Sequence, residues 1–218
     1  GTALQGSNAL HGVINVRTRS AFDAPRQSLA LDVGPHDYRR LLDLEAFPVT
    51  APPIPPAGYR VVQWADVAPD ALVDGIAYLL HRMVLDAPMG DMDYEPEKWD
   101  AQRYRESEAS AMRRNRTRFT TVVVHEETGE VAGLTELCVN RTRPQIGYQW
   151  NTIVDPRHRG HRLGLLLKAW NHQAVVDAVP ELRWVNTWNA TSNGFMIDVN
   201  EAMGFRVAEK WTEWQLDL

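Results

Sequence analysis

"DPRHRGHRLGLLLKAW", residues 155–170, is the stretch on which the fold turns. From Arg157 to Arg162 it gathers three arginines, two histidines and a glycine. It then passes at once into apolar residues at helical spacing: Leu163, Leu166, Leu167, Trp170 and Ala174. Just upstream, "QIGYQWNTIV" (Gln145–Val154) has the β-branched and aromatic content of a strand. A strand that runs through a short turn into a helix brings free backbone N–H groups and the positive end of the helix dipole to one point. Such a corner binds phosphate. Gly160 supplies backbone freedom, Gly164 leaves the first helical turn open to close approach, and Arg157, Arg159 and Arg162 add charge-assisted donors. Taken in isolation, the same run also reads as an ordinary solvated helix entrance.

Composition narrows the choice of ligand. The 218 residues carry a net charge of −5, with 44% hydrophobic and 23% charged residues, as in ordinary globular proteins. A pI near 5.8 and one short basic cluster argue against nucleic acid and for a local anionic ligand. Cys138 is the only cysteine, so neither an intramolecular disulfide framework nor a cysteine-based zinc site is available, and no metal is expected. No apolar run approaches the roughly 18 residues that span a bilayer, and no signal pattern opens the chain. No membrane partner is expected, and a cytoplasmic location is the default. A chain beginning at Gly1 reads as processed, tagged or truncated.

The proline-rich "PVTAPPIPPAG", Pro48 to Gly58, is a stiff extended connector and the expected boundary between residues 1–47 and 59–218. Before it, "SLALDV" (Ser28–Val33) reads as a strand and "HDYRRLLDLEAF" (His36–Phe47) as a short helix. Residues 1–47 are either an N-terminal addition to the sheet or the tail of a preceding domain. After it, "YRVVQW" is a strand, Asp70–Val84 a helix, and Glu95–Asn115 a second helix with Pro96 in its first turn. Two β-branched runs between Arg118 and Val139 form a hairpin around Thr128 and Gly129. Beyond the decisive stretch come a strand at Leu182–Trp188, a helix stopped by Gly204, and two terminal strands. The expected fold is a mixed α/β layer with at least one parallel strand–helix–strand crossover.

At this point the residues resemble the GNAT superfamily of N-acetyltransferases. Its diphosphate-binding signature is Gln or Arg, two residues, Gly, one residue, then Gly or Ala; Arg159 and Gly164 match, and Arg162 stands where a glycine is usual. "NGFMIDVNEAMGF" is similar to the family's next helix, with Asn193, Glu201, Gly204 and Phe205 in place. The resemblance covers roughly Tyr59 to Leu218. It implies a largely antiparallel sheet with one parallel pair that splays to hold acyl-CoA, and helices on both faces. It implies acetyl-CoA as co-substrate, an amine acceptor and direct transfer. It places Thr152, Ile153, Val154, Arg159, Gly160, His161, Arg162, Leu163, Gly164, Asn189 and Asn193 around the cofactor. A backbone N–H of the strand, best that of Val154, would hold the oxyanion.

The chemistry departs from the family's pattern in two places. An amine of pKa about 10.4 is mostly protonated at neutrality, so a base or water chain is needed. Relatives place a glutamate on the strand before the loop, where this chain has Tyr148, Gln149 and Asn151; Glu136 on the preceding strand is the substitute. By alternation it shares a face with Leu134 and Cys138, and burial there would raise its pKa. The alternative is a structural glutamate. The family's tyrosine acid is replaced by Asn200, although a thiol of pKa about 8.5 is a tolerable leaving group. On the acceptor side, "DAPMGDMDYEPEKWD" (Asp86–Asp100) is acidic and aromatic, which suits a cationic amine; Asp86, Asp91 and Tyr148 are the candidate contacts. A non-catalytic acyl-CoA-binding module stays open as the other function.

Overall fold

The computed structural model describes residues 36–44, 51–86, 98–190 and 192–212. The expected strand at Ser28–Val33 and the second terminal strand after Thr212 lie outside these residues. Among those described, seven strands form one sheet: β1 (His36–Asp43), β2 (Tyr59–Ala65), β3 (Arg116–His125), β4 (Val131–Asn140), β5 (Arg143–Val154), β6 (Trp184–Ala190) and β7 (Arg206–Thr212). Their order across the sheet is β2-β3-β4-β5-β6-β1-β7. Every neighbouring pair is antiparallel except β5 and β6. The described residues also form four α-helices: α1 (Asp70–Asp86), α2 (Ala101–Arg113), α3 (Leu163–Ala178) and α4 (Gly194–Ala202).

Strand alternation assigns the two faces. Val122, Val124 and Leu134 pack with Leu72, Ile76, Leu79 and Leu80 of α1 and Tyr104 of α2. The intervening Val123 and Ala132 meet Leu163, Leu166 and Leu167 of α3 on the other side. Burial of these aliphatic side chains stabilises the sheet by about 1.5–3 kcal/mol apiece. Gly133 lets α3 press close: a Cβ there would stand 2.8 Å from Leu167 Cδ1 and 3.2 Å from the Ile153 carbonyl oxygen. The β5–α3–β6 crossover is the parallel unit expected from the sequence. Among the described residues, no helix is long and apolar enough to cross a membrane.

Two expectations are corrected. The segment from His36, expected to be a helix, is the strand β1, wedged between β6 and β7. Arg40 and Leu42 are 3% and 1% exposed. Hydrogen bonding to strands on both sides fixes an extended backbone, which outweighs the helical spacing of Tyr38, Leu41 and Leu42. The second helix begins at Ala101, not Glu95: Asp100 accepts from the Arg103 N–H at 2.8 Å and caps it. The proline connector crosses the outer side of α3, where Trp170 Nε1 donates to the Pro53 carbonyl at 2.9 Å.

Candidate functional site

β5 and β6 pair only from Ile146–Trp184 to Tyr148–Asn186 and then part. The cause lies on the far side of β5. Thr135 pairs with Thr152 but Leu137 with Gln149, so β5 holds one extra residue, a bulge at Trp150–Asn151 that bends the strand away. Past the bulge, the Asp155 N–H donates to the Ala132 carbonyl at 2.9 Å. Antiparallel alternation then turns the backbone of Ile153 toward β4, and that of Thr152 and Val154 toward the opening. Of the three strand amides expected near a thioester, Thr152 and Val154 face the splay; Ile153 is committed to the ladder, with its side chain in the core.

The basic turn closes the wide end of this opening. Asp155 caps a short 3-10 helix, Pro156–His158, by accepting from the Arg157 N–H at 2.9 Å. Arg157 is also tied by its side chain to Asp155 and to Glu130, and its guanidinium serves the loop itself. These bonds, despite burial of the Asp155 carboxyl, hold its pKa below the usual range. His158 is buried, which lowers its pKa, and its Nδ1 lies 3.0 Å from the Tyr59 hydroxyl. Arg159 and Arg162 point outward, with Arg159 Nε 3.4 Å from the Val154 carbonyl. Gly160 has φ +88°, and His161 is exposed beside the Tyr59 ring.

The turn leads into a helix start that has no side-chain cap. Asp100 and Asn193 cap α2 and α4, but Arg162, at the cap position of α3, makes no such bond. The Leu166 N–H reaches the Arg162 carbonyl at 3.2 Å, which leaves the amides of Leu163, Gly164 and Leu165 without helical acceptors. Arg162 is left-handed, φ 56° and ψ 25°, a conformation that explains why glycine suits this position. Leu163 is in the core, so only its backbone is available. Gly164 lies beside α4, where a Cβ would meet Phe195 at 3.8 Å.

The remaining candidates are dispersed. Asn193 spends its side chain on the Met196 N–H, 3.2 Å away. Asn189, on β6 beyond the point of divergence, accepts from Asn200 Nδ2 at 2.6 Å. Tyr148 stacks on Trp188 across the closed end of the splay, rings 6.2 Å apart and 13° from parallel. A strand position alone would put Trp188 in the core. Asp86 ends α1, while Asp91 lies outside the described residues.

Glu136 is 1% exposed under α2, on the face shared with Leu134 and Cys138. Its Oε2 accepts from Asn151 Nδ2 of the bulge at 2.7 Å, and its Oε1 lies 3.4 Å from the buried Arg118 guanidinium. The Tyr104 hydroxyl approaches the same oxygen at 3.5 Å. Burial drives the pKa of that phenol well above its ordinary value. No group of three metal-ligating side chains occurs among the described residues.

An uncapped helix start, a flanking guanidinium pair and a splayed parallel strand pair meet in one α/β domain, an arrangement whose shape and charge suit an extended, anion-tipped ligand. The chain matches the Acetyltransferase (GNAT) family over residues 67–196, and it belongs to that family. A tandem GNAT protein from the clavulanic acid biosynthesis pathway is 33% identical, with a TM-score of 0.67 over 83% of this chain and 53% of that one. A GCN5-related N-acetyltransferase from Sphaerobacter thermophilus shares the fold at 15% identity and TM-score 0.56, over 83% and 50%. An acetyltransferase of the family from Streptococcus pneumoniae does so at 16% and 0.53, over 69% and 87%. The chain spans about half the length of the first two. No curated protein matches it. Enzymes of this family take their acyl group from acetyl-CoA.

Proposed function

We propose that this chain transfers an acetyl or short acyl group from coenzyme A directly to a primary amine of a small, cationic acceptor. The observation that carries the reading is the free N-terminus of α3 opening onto the splay. The diphosphate sits on the amides from Leu163 to Leu165, with Arg159 and Arg162 as counter-charges and Gly160 giving the loop its approach. The thioester enters between β5 and β6, and its carbonyl oxygen accepts from the Val154 N–H. That bond strengthens as the carbonyl becomes an oxyanion. The acceptor comes from the α1–α2 side, past Tyr148 and Trp188, with Asp86 and Asp91 as acidic contacts.

The amine nitrogen bonds to the carbonyl carbon, the C–S bond breaks with its electron pair on sulfur, and the thiolate leaves and takes a proton from water. Glu136 is the base in the first reading. Its bonds to Asn151 and Arg118 favour a second, in which it anchors the bulge that aims Val154 while water takes the proton. Glu136→Gln separates them: a base gives a lower kcat with the melting temperature held, whereas an anchor gives a lower melting temperature.

The strand β1 favours the reading of residues 1–47 as an addition to the sheet over the tail of a preceding domain, and Pro53 in the connector ties to α3. Thiol release from acetyl-CoA across a panel of cationic amines tests the activity. Acceleration by at least one amine is expected; release no faster than with water would leave an acyl-CoA-binding module. Arg159→Ala should weaken acetyl-CoA about tenfold or more, as expected for a charge-assisted bond, and leave amine affinity intact.

A further inference from the structure

Several cations packed against the sheet are committed inside the protein. Buried Lys168 donates to Asn200 Oδ1, Arg105 pairs with Asp70 and Glu108, Arg141 with Asp66, and buried Arg118 with Glu136 and Ser107. Arg116 is different. It is half-buried on β3, and among the described residues no carboxylate pairs with its guanidinium, which lies 5.9 Å from the centre of the Trp150 ring. The charge around it is one-sided. Arg116 pairs across the sheet with Asn140, whose other partner is Arg143; Arg118 follows on the same face. The carboxylates of Asp66 and Glu136 are already bonded to Arg141 and Arg118. A chain of net charge −5 thus keeps a local positive excess here.

Its place relative to the splay gives that excess a use. Alternation puts Arg116, Arg118 and Thr120 on the face of β3 that turns Val122 toward α1. Strand pairing sets Glu136, Cys138 and Tyr148 beside them. The bulge adds Trp150 to this face. Asn151 reaches Glu136 at 2.7 Å while Trp150 meets Arg116, so two consecutive side chains leave β5 on one side, which a regular strand forbids. Trp150 is half-buried, as are Tyr148 and Trp188, which stack on each other. An aromatic floor therefore runs along β5 from the splay toward Arg116. That guanidinium has one face on the indole and its N–H edge left for a planar anion. From Val154 back to Trp150 the strand covers about 13 Å, somewhat less across the bulge.

We infer that Arg116 and Trp150 select an acceptor that carries a carboxylate at the end remote from its amine. This rests on the acyl-CoA reading above and narrows its acceptor. The reacting end stays cationic and lies at the splay; the far end, about 10 Å away along β5, is anionic and lies on Arg116. The guanidinium takes the carboxylate through paired N–H donors. Trp150 holds the guanidinium by its face and lines the chain between the two charges. A diamine of the same length sets a second ammonium against the positive excess and is rejected.

The test compares acceptors of matched length. Thiol release from acetyl-CoA is followed with ω-amino acids of graded length, and with the corresponding alkylamines and diamines. In the wild type the best ω-amino acid should exceed its alkylamine by about tenfold or more in kcat/KM, as a charge-assisted pair provides, with the diamine below both. Arg116→Gln should bring that ratio down to about one, and Arg116→Lys, which keeps the charge but not the fork, should hold part of it. An arginine with a structural role alone would lower both rates together and leave the ratio at its wild-type value. Raising the salt concentration should shrink the wild-type ratio, a check that needs no variant. A wild-type ratio near one at every length, a preferred diamine, or a ratio that survives Arg116→Gln overturns this inference and leaves the transferase standing. Release that no amine accelerates, with or without a carboxylate, overturns both.

Discussion

Replacing Lys168 by methionine keeps the volume and removes a charge that burial disfavours. The folded ammonium titrates at about 7 against 10.5 for the ordinary side chain. The native state therefore binds fewer protons than the unfolded chain between those values, and wild-type stability rises with pH through that window by about 1.4 kcal/mol per pH unit. Below pH 7 the buried charge costs about 5 kcal/mol, and above 10.5 nothing. Methionine escapes this cost but strands the Asn200 oxygen, a pH-independent penalty of about 1–3 kcal/mol. The variant should then be more stable than wild type by about 2–4 kcal/mol at pH 6 and less stable by about 1 kcal/mol at pH 10. Urea unfolding of both proteins across this range gives the difference directly, because shared ionisations cancel. A gap that does not change with pH, or a variant already weaker at pH 6, would refute the reasoning.

Arg162→Gly should relieve a left-handed backbone worth about 1–2 kcal/mol, partly offset by the entropy of glycine in the unfolded chain. It should raise the melting temperature while weakening acetyl-CoA at low salt, an effect that fades as salt screens the lost charge. Leu42→Ala should destabilise the whole domain by about 2–5 kcal/mol in denaturant. The reason is that Leu42 packs against Leu137, Val185 and Phe205 of strands and loop on the far side of the connector. A loss under about 1 kcal/mol would mean that β1 is only loosely added to the sheet.

The turn after Val154 was legible because local chemistry dictates it. A strand end, a glycine in a positive-φ position, arginines and an uncapped helix all fall within ten residues. The hairpin around Gly129 and the helix ended by Gly204 were legible for the same reason. The strand β1 was not, since its partners lie more than 140 residues away and its short apolar pattern fits either period. Lys168 was missed because a lysine in a helix reads as surface. A signal was there: Gly164, Lys168, Asn171, His172 and Val175 recur at helical spacing, and all five are buried. A polar stripe opposite an apolar one marks a helix enclosed on both sides. Asn193 shows the converse, a residue of the family's pattern whose side chain here is taken up by its own helix cap.

The most direct measurement tracks backbone amide resonances during titration with acetyl-CoA. The account predicts saturable binding, with the largest shifts at Gly160 to Leu165 and at Val154, and with Ile153 moved far less. Binding that leaves the Gly160–Leu165 amides in place, or no binding at millimolar acetyl-CoA, would contradict it.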